Sequence, residues 1–419
     1  MRVQGTLRVP GDKSISHRAL MLGALADGAS RITGILESDD VRSTAAVLRA
    51  LGAHIPPLGP DVTVQGVGLR GLRAPTELLD CGNSGTTTRL MAGIVAGLPI
   101  SATFIGDASL SRRPMRRVAK PLEAMGARVE LPAHGGLPMV VRGGALKDID
   151  WQSEVASAQV KSAILLAGLV GGVRVTVDEP APTRDHTERM LGARGVDVVR
   201  RGTVVELAPA HGCITALDTV VPGDPSSAAF FAGLAALANE GSLSLSDVCV
   251  NETRTGFLET LRRMGATVEF ARDHLSGGEG ISPVLVRPGA LRGVQVGKEI
   301  VPSMIDELPL LACLATRAEG ETVITGAAEL RVKESDRIAA VVANLRAIGA
   351  QASELDDGMR IVGGRAPLRG SIKTYGDHRL AMSFGVLGAL PGNDVAIDDR
   401  DCVAVSYPGF WSDLAKVVQ

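Results

Sequence analysis

One pattern recurs six times along the chain and restricts its fold more than any other feature. A few small or charged residues open a nearly all-apolar stretch, which runs into glycine and then an alternating strand. The first three copies read KSISHRALMLGALADGASRITG (13–34), NSGTTTRLMAGIVAGLPISATFIG (83–106) and SAQVKSAILLAGLVGGVRVTV (157–177). The later three are PSSAAFFAGLAALANEGSLSLSD (225–247), MIDELPLLACLATRAEGETVITG (304–326) and GDHRLAMSFGVLGALPGNDVAIDD (376–399). A second unit alternates with it, a charged helix ending in a glycine turn before a short strand. It reads LRALGAHI (48–55), LEAMGARV (122–129), MLGARGVDV (190–198), LRRMGATV (261–268) and LRAIGAQA (345–352). A sixth such helix, Phe410 to Val418, closes the chain. Six copies in 419 residues make repeats of about 70.

The pattern implies an α/β fold. Helices apolar nearly all round are buried, and the charged ones cover them. Glycine follows the helices where a left-handed cap is wanted. Strands such as RITG and VRVTV alternate, so one sheet face is covered and the other wet. RVPGDKS (8–14) and VVPGDPS (220–226) match at an offset of 212 residues. Two similar domains of three repeats are therefore expected, 13–221 and 1–12 plus 222–419. Pro-Gly favours turns, so hinges are expected near 10–13 and 220–225.

Composition narrows the function. Lys and Arg total 44 against 46 Asp and Glu, a net charge of −2. That balance argues against a nucleic-acid binder held by a general basic field. Aromatics at 3% leave few platforms for stacking bases. No apolar run exceeds the eleven residues of Ala228–Ala238, short of the ~18 a membrane span needs. The five Cys are scattered and odd in number, with no metal or redox spacing. MRVQGTLRVP lacks an apolar signal core. A reduced, cytoplasmic, monomeric protein is expected.

Helix N-termini carry unpaired N–H groups and bind anions. The first-half openings each set small polar residues beside a cation: Lys13-Ser14 with Arg18, Asn83-Ser84-Gly85-Thr86 with Arg89, and Ser157-Ala158-Gln159 with Lys161. One such opening is ordinary capping; three in register point to phosphate or carboxylate binding. Arg112, Arg113, Arg116 and Arg117 form a basic cluster, most of it a solvated face, with one member suited to clamp a carboxylate. In the second half, Asp306-Glu307 opens a helix among apolar neighbours. RVKESDR (331–337) crowds five charges into seven residues, with Ser335 or Asp336 as cap, and Asp377-His378-Arg379 precedes an apolar helix. Buried carboxylates suit acid–base work. A cleft between two such halves fits a small polyanionic substrate pair and a proton transfer. Nucleotide loops, metal clusters and nucleophilic triads are absent from the sequence.

GDKSISHRAL (11–20), NSGTTTR (83–89), GDASLSRRPM (106–115), RVKESDR and GDHRLAM (376–382) together resemble the 5-enolpyruvylshikimate-3-phosphate synthase family, in order and over nearly the whole chain. The resemblance implies two domains, each of three βαβαββ units about a pseudo-threefold axis, with the active site in the cleft. It implies transfer of the enolpyruvyl group of phosphoenolpyruvate to the 5-hydroxyl of shikimate 3-phosphate through a tetrahedral intermediate, with no cofactor or metal. Residue by residue, it places Ser14, Arg18 and Ser157 on shikimate 3-phosphate, with Arg184 on its phosphate and Lys13 between the substrates. Gly85, Arg113, Gln159, Arg337 and Arg379 match phosphoenolpyruvate contacts. Asp306 matches the carboxylate that meets the 5-hydroxyl. Lys333 and Glu334 match a Lys-Glu pair in which Lys333 contacts shikimate 3-phosphate and Glu334 handles the methylene proton.

The chain departs from the family pattern in places. Val405 stands where many members carry Lys, Ala158 replaces the middle Ser of Ser-Ser-Gln, and His17 stands where Asn is common. RDHTE (184–188), SAQVK (157–161) and NETR (251–254) are similar to a subclass linked to glyphosate tolerance, whereas Gly85 is typical of sensitive enzymes. The nearest rival is the UDP-N-acetylglucosamine enolpyruvyl transferase family, which has Lys-Asn in the first helix and a reactive loop Cys. Ser14 follows Lys13 here, and no Cys lies in 106–117. A non-catalytic repeat scaffold is the alternative of a different class; it has no use for Asp306 and Glu334.

Overall fold

The computed structural model describes residues 1–419 except 211 and 272. Among the described residues are twelve α-helices: α1 (Lys13–Leu25), α2 (Asp39–Ala50), α3 (Gly85–Ala96), α4 (Arg116–Met125), α5 (Ala158–Gly171), α6 (His186–Gly192), α7 (Pro225–Leu237), α8 (Gly256–Met264), α9 (Leu308–Ala315), α10 (Arg337–Ala347), α11 (His378–Gly388) and α12 (Phe410–Val417). The odd-numbered helices are the apolar kind and the even-numbered ones the charged kind, as the repeat predicts. Every residue of α7 from Pro225 to Ala236 is buried. The turn glycines 52, 126, 195, 265 and 349 have φ of 91°, 111°, 80°, 117° and 92°, the left-handed region that side chains with a Cβ avoid. Gly93 serves packing instead: a Cβ there would lie 2.2 Å from the Ala163 carbonyl oxygen, so α3 meets the backbone of α5 directly.

Each odd helix connects, or lies beside, one parallel strand pair. Leu79–Asp80 pairs with Ser101–Ile105 around α3, and Ile149–Gln152 with Val175–Asp178 around α5. Gln295–Val296 pairs with Glu321–Ile324 around α9, and Arg369–Ile372 with Asp394–Ile397 around α11. The other two pairs are exchanged. Arg2–Leu7, which precedes α1, pairs with Glu240–Cys249 after α7, and Thr219–Val220, which precedes α7, pairs with Ala29–Thr33 after α1. The two Pro-Gly-Asp segments lie just past these exchanged strands. In the middle repeats the strands after the even helix add antiparallel, completing βαβαββ. The last repeat stops at two strands and ends in α12.

The chain forms two compact units. One holds Gly11–Val221 and Leu275–Glu279; the other holds Met1–Pro10, Pro222–His274 and Gly280–Gln419. The segment Leu275–Glu279 joins the first of these because the Val220 N–H donates to Ser276 Oγ at 2.8 Å and Glu279 pairs with buried His186 at 2.7 Å. One expected helix starts late. Asp306 and Glu307 do not open it; they form a 3-10 turn, Ile305–Glu307, and α9 begins at Leu308. Pro309 in the first turn of α9 suits a position that needs no N–H donor. No helix among the described residues is long and apolar enough to cross a membrane.

Candidate active site

The unit that holds α1 to α6 gathers cations at the starts of α1 and α3; at α5 the expected cation, Lys161, is instead buried against two carboxylates. Asp12 caps α1, accepting from the Ile15 N–H at 2.8 Å, and so fixes Lys13 and Ser14 in its first turn. Lys13 Nζ lies 3.0 Å from Asp40 Oδ2 on α2. Arg18, 4% exposed one turn on, is spread over three partners. It donates from Nε to Thr187 Oγ1 at 2.7 Å, from Nη2 to Ser162 Oγ at 2.8 Å and from Nη1 to the Ser14 carbonyl at 2.9 Å. Burial draws Arg18 down to about 10, offset in part by Glu188 and Asp12, while Arg184 adds to the lowering. Arg18 thus stays charged at neutral pH, with the carboxylates of Glu188, Asp12 and Glu279 acting on it more strongly than the Arg184 guanidinium.

At α3, Ser84 caps the helix by accepting the Thr87 N–H at 3.2 Å. Gly85 is the first helical residue, and a Cβ there would meet Arg89 Nη1 at 2.7 Å. Arg89 donates to Gln159 Oε1 at 2.6 Å, and Gln159 Nε2 donates to Thr86 Oγ1 at 2.9 Å. Arg113 donates to Asn83 Oδ1 at 2.6 Å. Of the same arginine cluster, Arg112 and Arg116 are exposed. Ser157 occupies the cap position of α5 without making the capping bond. Ordinary N-capping accounts for Ser84 but not for Ser157.

Beneath these groups lies a buried charge cluster the sequence did not reveal. Lys161, 0% exposed, pairs with Glu179 at 2.7 Å and Glu188 at 2.8 Å. Thr183 donates to the other oxygen of Glu179 at 2.5 Å. Ser162 and Thr187, the two hydroxyls that hold Arg18, are the chain neighbours of Lys161 and Glu188. The cluster therefore pins α5 to α6 where both grip Arg18.

In the other unit the chemistry centres on Arg337, the first residue of α10 and only 1% exposed. Asp336 caps α10, accepting from the Ala339 N–H at 3.1 Å. Arg337 reaches three carboxylates: Asp377 Oδ2 at 2.8 Å, Glu334 Oε2 at 2.7 Å and Asp306 Oδ1 at 3.3 Å. Asp306 is also approached by Lys333 Nζ at 3.6 Å and Arg379 Nη2 at 3.8 Å. Asp377 in turn caps α11 by accepting the Arg379 N–H at 3.0 Å. Glu307, 3% exposed, takes the Ser226 hydroxyl on one oxygen. All five second-half residues singled out from sequence, Asp306, Lys333, Glu334, Arg337 and Arg379, meet in this cluster. Asp377, which organises it, reads from the sequence only as a flanking charge.

Burial raises the Asp377 carboxyl, but Arg337 and its hydrogen bonds outweigh burial and leave it below its ordinary 3.8. A carboxylate depressed in the folded state stabilises the fold above its unfolded value and loses that contribution as pH falls through the folded one. Asp377→Asn is expected to flatten the acid side of the stability–pH curve below about pH 4. Urea unfolding across pH checks this, and an unchanged slope contradicts it.

A family model described as EPSP synthase (3-phosphoshikimate 1-carboxyvinyltransferase) matches residues 1–414. The chain belongs to the EPSP synthase family. A 3-phosphoshikimate 1-carboxyvinyltransferase of Sulfurihydrogenibium sp. (strain YO3AOP1) is 48% identical, covering 99% of this chain and 97% of that protein. One of Xanthomonas axonopodis pv. citri is 50% identical over 97% of this chain and 93% of its own length. A solved structure of EPSP synthase from Acinetobacter baumannii superposes with a TM-score of 0.87 at 42% identity, over 100% of this chain and 96% of that one. The α/β architecture of mixed sheets and twelve helices is thus that of EPSP synthases, transferases of aromatic biosynthesis. Of the departures from the family pattern, Val405 ends a 3-10 turn, Asp401–Val405, half-buried.

Proposed function

We propose that this chain transfers the enolpyruvyl group of phosphoenolpyruvate to the 5-hydroxyl of shikimate 3-phosphate and releases phosphate. The observation that carries the reading is the cluster of Asp306 and Glu334 about Lys333, Arg337 and Arg379 in a chain of this family. The reaction must remove a hydroxyl proton, protonate C3 of phosphoenolpyruvate, and then take a proton back from C3 as phosphate leaves. Two positioned carboxyl groups can do this. Asp306 takes the 5-hydroxyl proton and Glu334 serves the methylene carbon. Lys13, Lys333, Arg337 and Arg379 stabilise charge on the carboxylate and the departing phosphate. Ser14, Arg18, Ser157 and Arg184 hold shikimate 3-phosphate, with Arg18 and Arg184 on its phosphate. Gly85, Arg113 and Gln159 hold phosphoenolpyruvate. We place the hinges of the two domains at 10–13 and 220–225, and the enzyme in the cytoplasm as a monomer.

Phosphate release tests the reading, with phosphoenolpyruvate and either shikimate 3-phosphate or UDP-N-acetylglucosamine. Release with shikimate 3-phosphate alone is expected; release with the nucleotide sugar alone overturns the choice of acceptor.

Gly85→Ala supplies a local check. The added methyl pushes on Arg89 Nη1 at 2.7 Å and reaches Arg113 Nη1 at 3.5 Å. Both are ends of flexible side chains, so the fold persists while the pocket narrows. The inhibition constant of glyphosate is expected to rise more than the KM for phosphoenolpyruvate. An unchanged inhibition constant removes Gly85 from that pocket.

A further inference from the structure

Arg89 is the cation at the start of α3 that no role above uses. It stands one turn after Gly85, and a helical side chain leans back toward the N-terminus, so Arg89 reaches over the helix start. Its Nη1 donates to Gln159 Oε1 on α5 at 2.6 Å, and its Nη2 donates to the carbonyl of Pro114, the residue after Arg113, at 3.4 Å. A Cβ on Gly85 would meet the same Nη1 at 2.7 Å, so the glycine leaves room for the guanidinium. One side chain therefore joins the three elements that carry Gly85, Gln159 and Arg113.

These contacts fix the orientation of the Gln159 amide. A guanidinium has N–H donors and no acceptor. The amide oxygen must face it, since the reverse orientation sets an N–H against a cation at 2.6 Å. Nε2 is then the group turned to Thr86, and it donates to Thr86 Oγ1 at 2.9 Å. An amide nitrogen carries two hydrogens. The second donates to nothing among the described residues, and Gln159 is only half-buried. The Thr86 hydroxyl accepts from Gln159, so its own hydrogen is not engaged there. The reversed amide would take the Thr86 hydrogen and turn a carbonyl lone pair to the side where the second N–H now points.

We propose that Arg89 is a positioning residue: by holding the amide oxygen, it makes Gln159 meet the anionic phosphoenolpyruvate with an N–H donor instead of a carbonyl oxygen. A fixed donor stabilises an anion, and a fixed lone pair repels it. A cation beside a helix start would ordinarily bind the anion itself. Here its Nη1 and Nη2 donate to protein oxygens, so it acts through Gln159. The proposal rests on the assignment of Gln159 to phosphoenolpyruvate.

A double-mutant cycle in the full chain separates positioning from direct contact. Arg89→Met frees the amide to turn. It is expected to raise the KM for phosphoenolpyruvate about tenfold, the size of one hydrogen bond to a charged group, with the KM for shikimate 3-phosphate nearly unchanged. Gln159→Ala is expected to raise it at least as much. Adding Arg89→Met to Gln159→Ala is expected to change nothing further, because the amide that Arg89 orients is gone. Gln159→Glu keeps the bond from Arg89 and puts an oxygen in the place of Nε2. It is expected to raise the KM for phosphoenolpyruvate about tenfold while the melting temperature holds. An Arg89→Met enzyme with the wild-type KM overturns the proposal, even if its melting temperature falls, since that is a structural role alone. Additive effects in the double variant also overturn it, because Arg89 then touches the ligand itself. A Gln159→Glu enzyme with the wild-type KM overturns it as well, and this variant decides the matter if Arg89→Met does not fold. Absence of turnover in the wild-type chain defeats the functional reading and this proposal with it, whereas the three results above defeat the proposal alone.

Discussion

Asp306→Asn and Glu334→Gln are each expected to lower kcat by about 10²- to 10⁴-fold, the range for loss of a general acid or base. Both changes keep side-chain volume and remove only the charge and the proton site. The fold should survive them. Arg337 retains Asp377 at 2.8 Å in either variant, and Asp377 continues to cap α11. Neither substitution therefore strands a buried, unpaired charge, which is the usual route to large destabilisation. The two variants should also differ in kind. Loss of Glu334 is expected to suppress exchange of the methylene protons with solvent. Loss of Asp306 is expected to raise the KM for shikimate 3-phosphate as well, because in the proposed arrangement that carboxylate meets the 5-hydroxyl of this substrate. Turnover near wild type in both, with unfolding midpoints unchanged, would contradict the assignment of roles.

Lys161→Met is expected to cost stability rather than chemistry. It leaves Glu179 and Glu188, whose side chains are 1% and 7% exposed, without their shared cation. Removing one partner of a buried ion cluster costs about 3–5 kcal/mol, because the remaining charges keep their desolvation penalty and lose their attraction. Urea or thermal unfolding reads this directly. The triple change Lys161→Met, Glu179→Gln, Glu188→Gln removes the stranded charges and should recover most of the loss. The kinetic trace of the single variant should be a weaker grip on shikimate 3-phosphate, since Ser162 and Thr187 hold Arg18. A single variant as stable as wild type would show that the cluster is not a structural pin.

The repeat itself was legible because burial imposes composition. An enclosed helix must be apolar on every side, and a left-handed turn must be glycine, so both recur at readable spacing. The helix starts were legible for the same reason: capping and anion binding select from a small set of residues. Non-local relations were not. Nothing in Arg2–Leu7 says that it pairs with Glu240–Cys249 rather than with the strand after its own helix. Lys161 sits in SAQVKSAILL among apolar neighbours, and its partners lie 18 and 27 residues further on. Asp377 reads as one charge in a flanking trio, because the contact that gives it a role is with Arg337, 40 residues away. RVKESDR permits both an ordinary helix start and a charge cluster, and the structure has both. Asp336 caps α10 in the ordinary way while the next residue, Arg337, is buried among three carboxylates.

The most direct test is NMR of the reaction in deuterium oxide, with purified protein, phosphoenolpyruvate and shikimate 3-phosphate. The proposed chemistry predicts a vinyl ether at the 5-oxygen, one phosphate released for each vinyl ether formed, and deuterium in the product methylene. Phosphate accompanied by free pyruvate, with no vinyl ether, would mean that the cluster around Arg337 hydrolyses phosphoenolpyruvate rather than transferring its enolpyruvyl group.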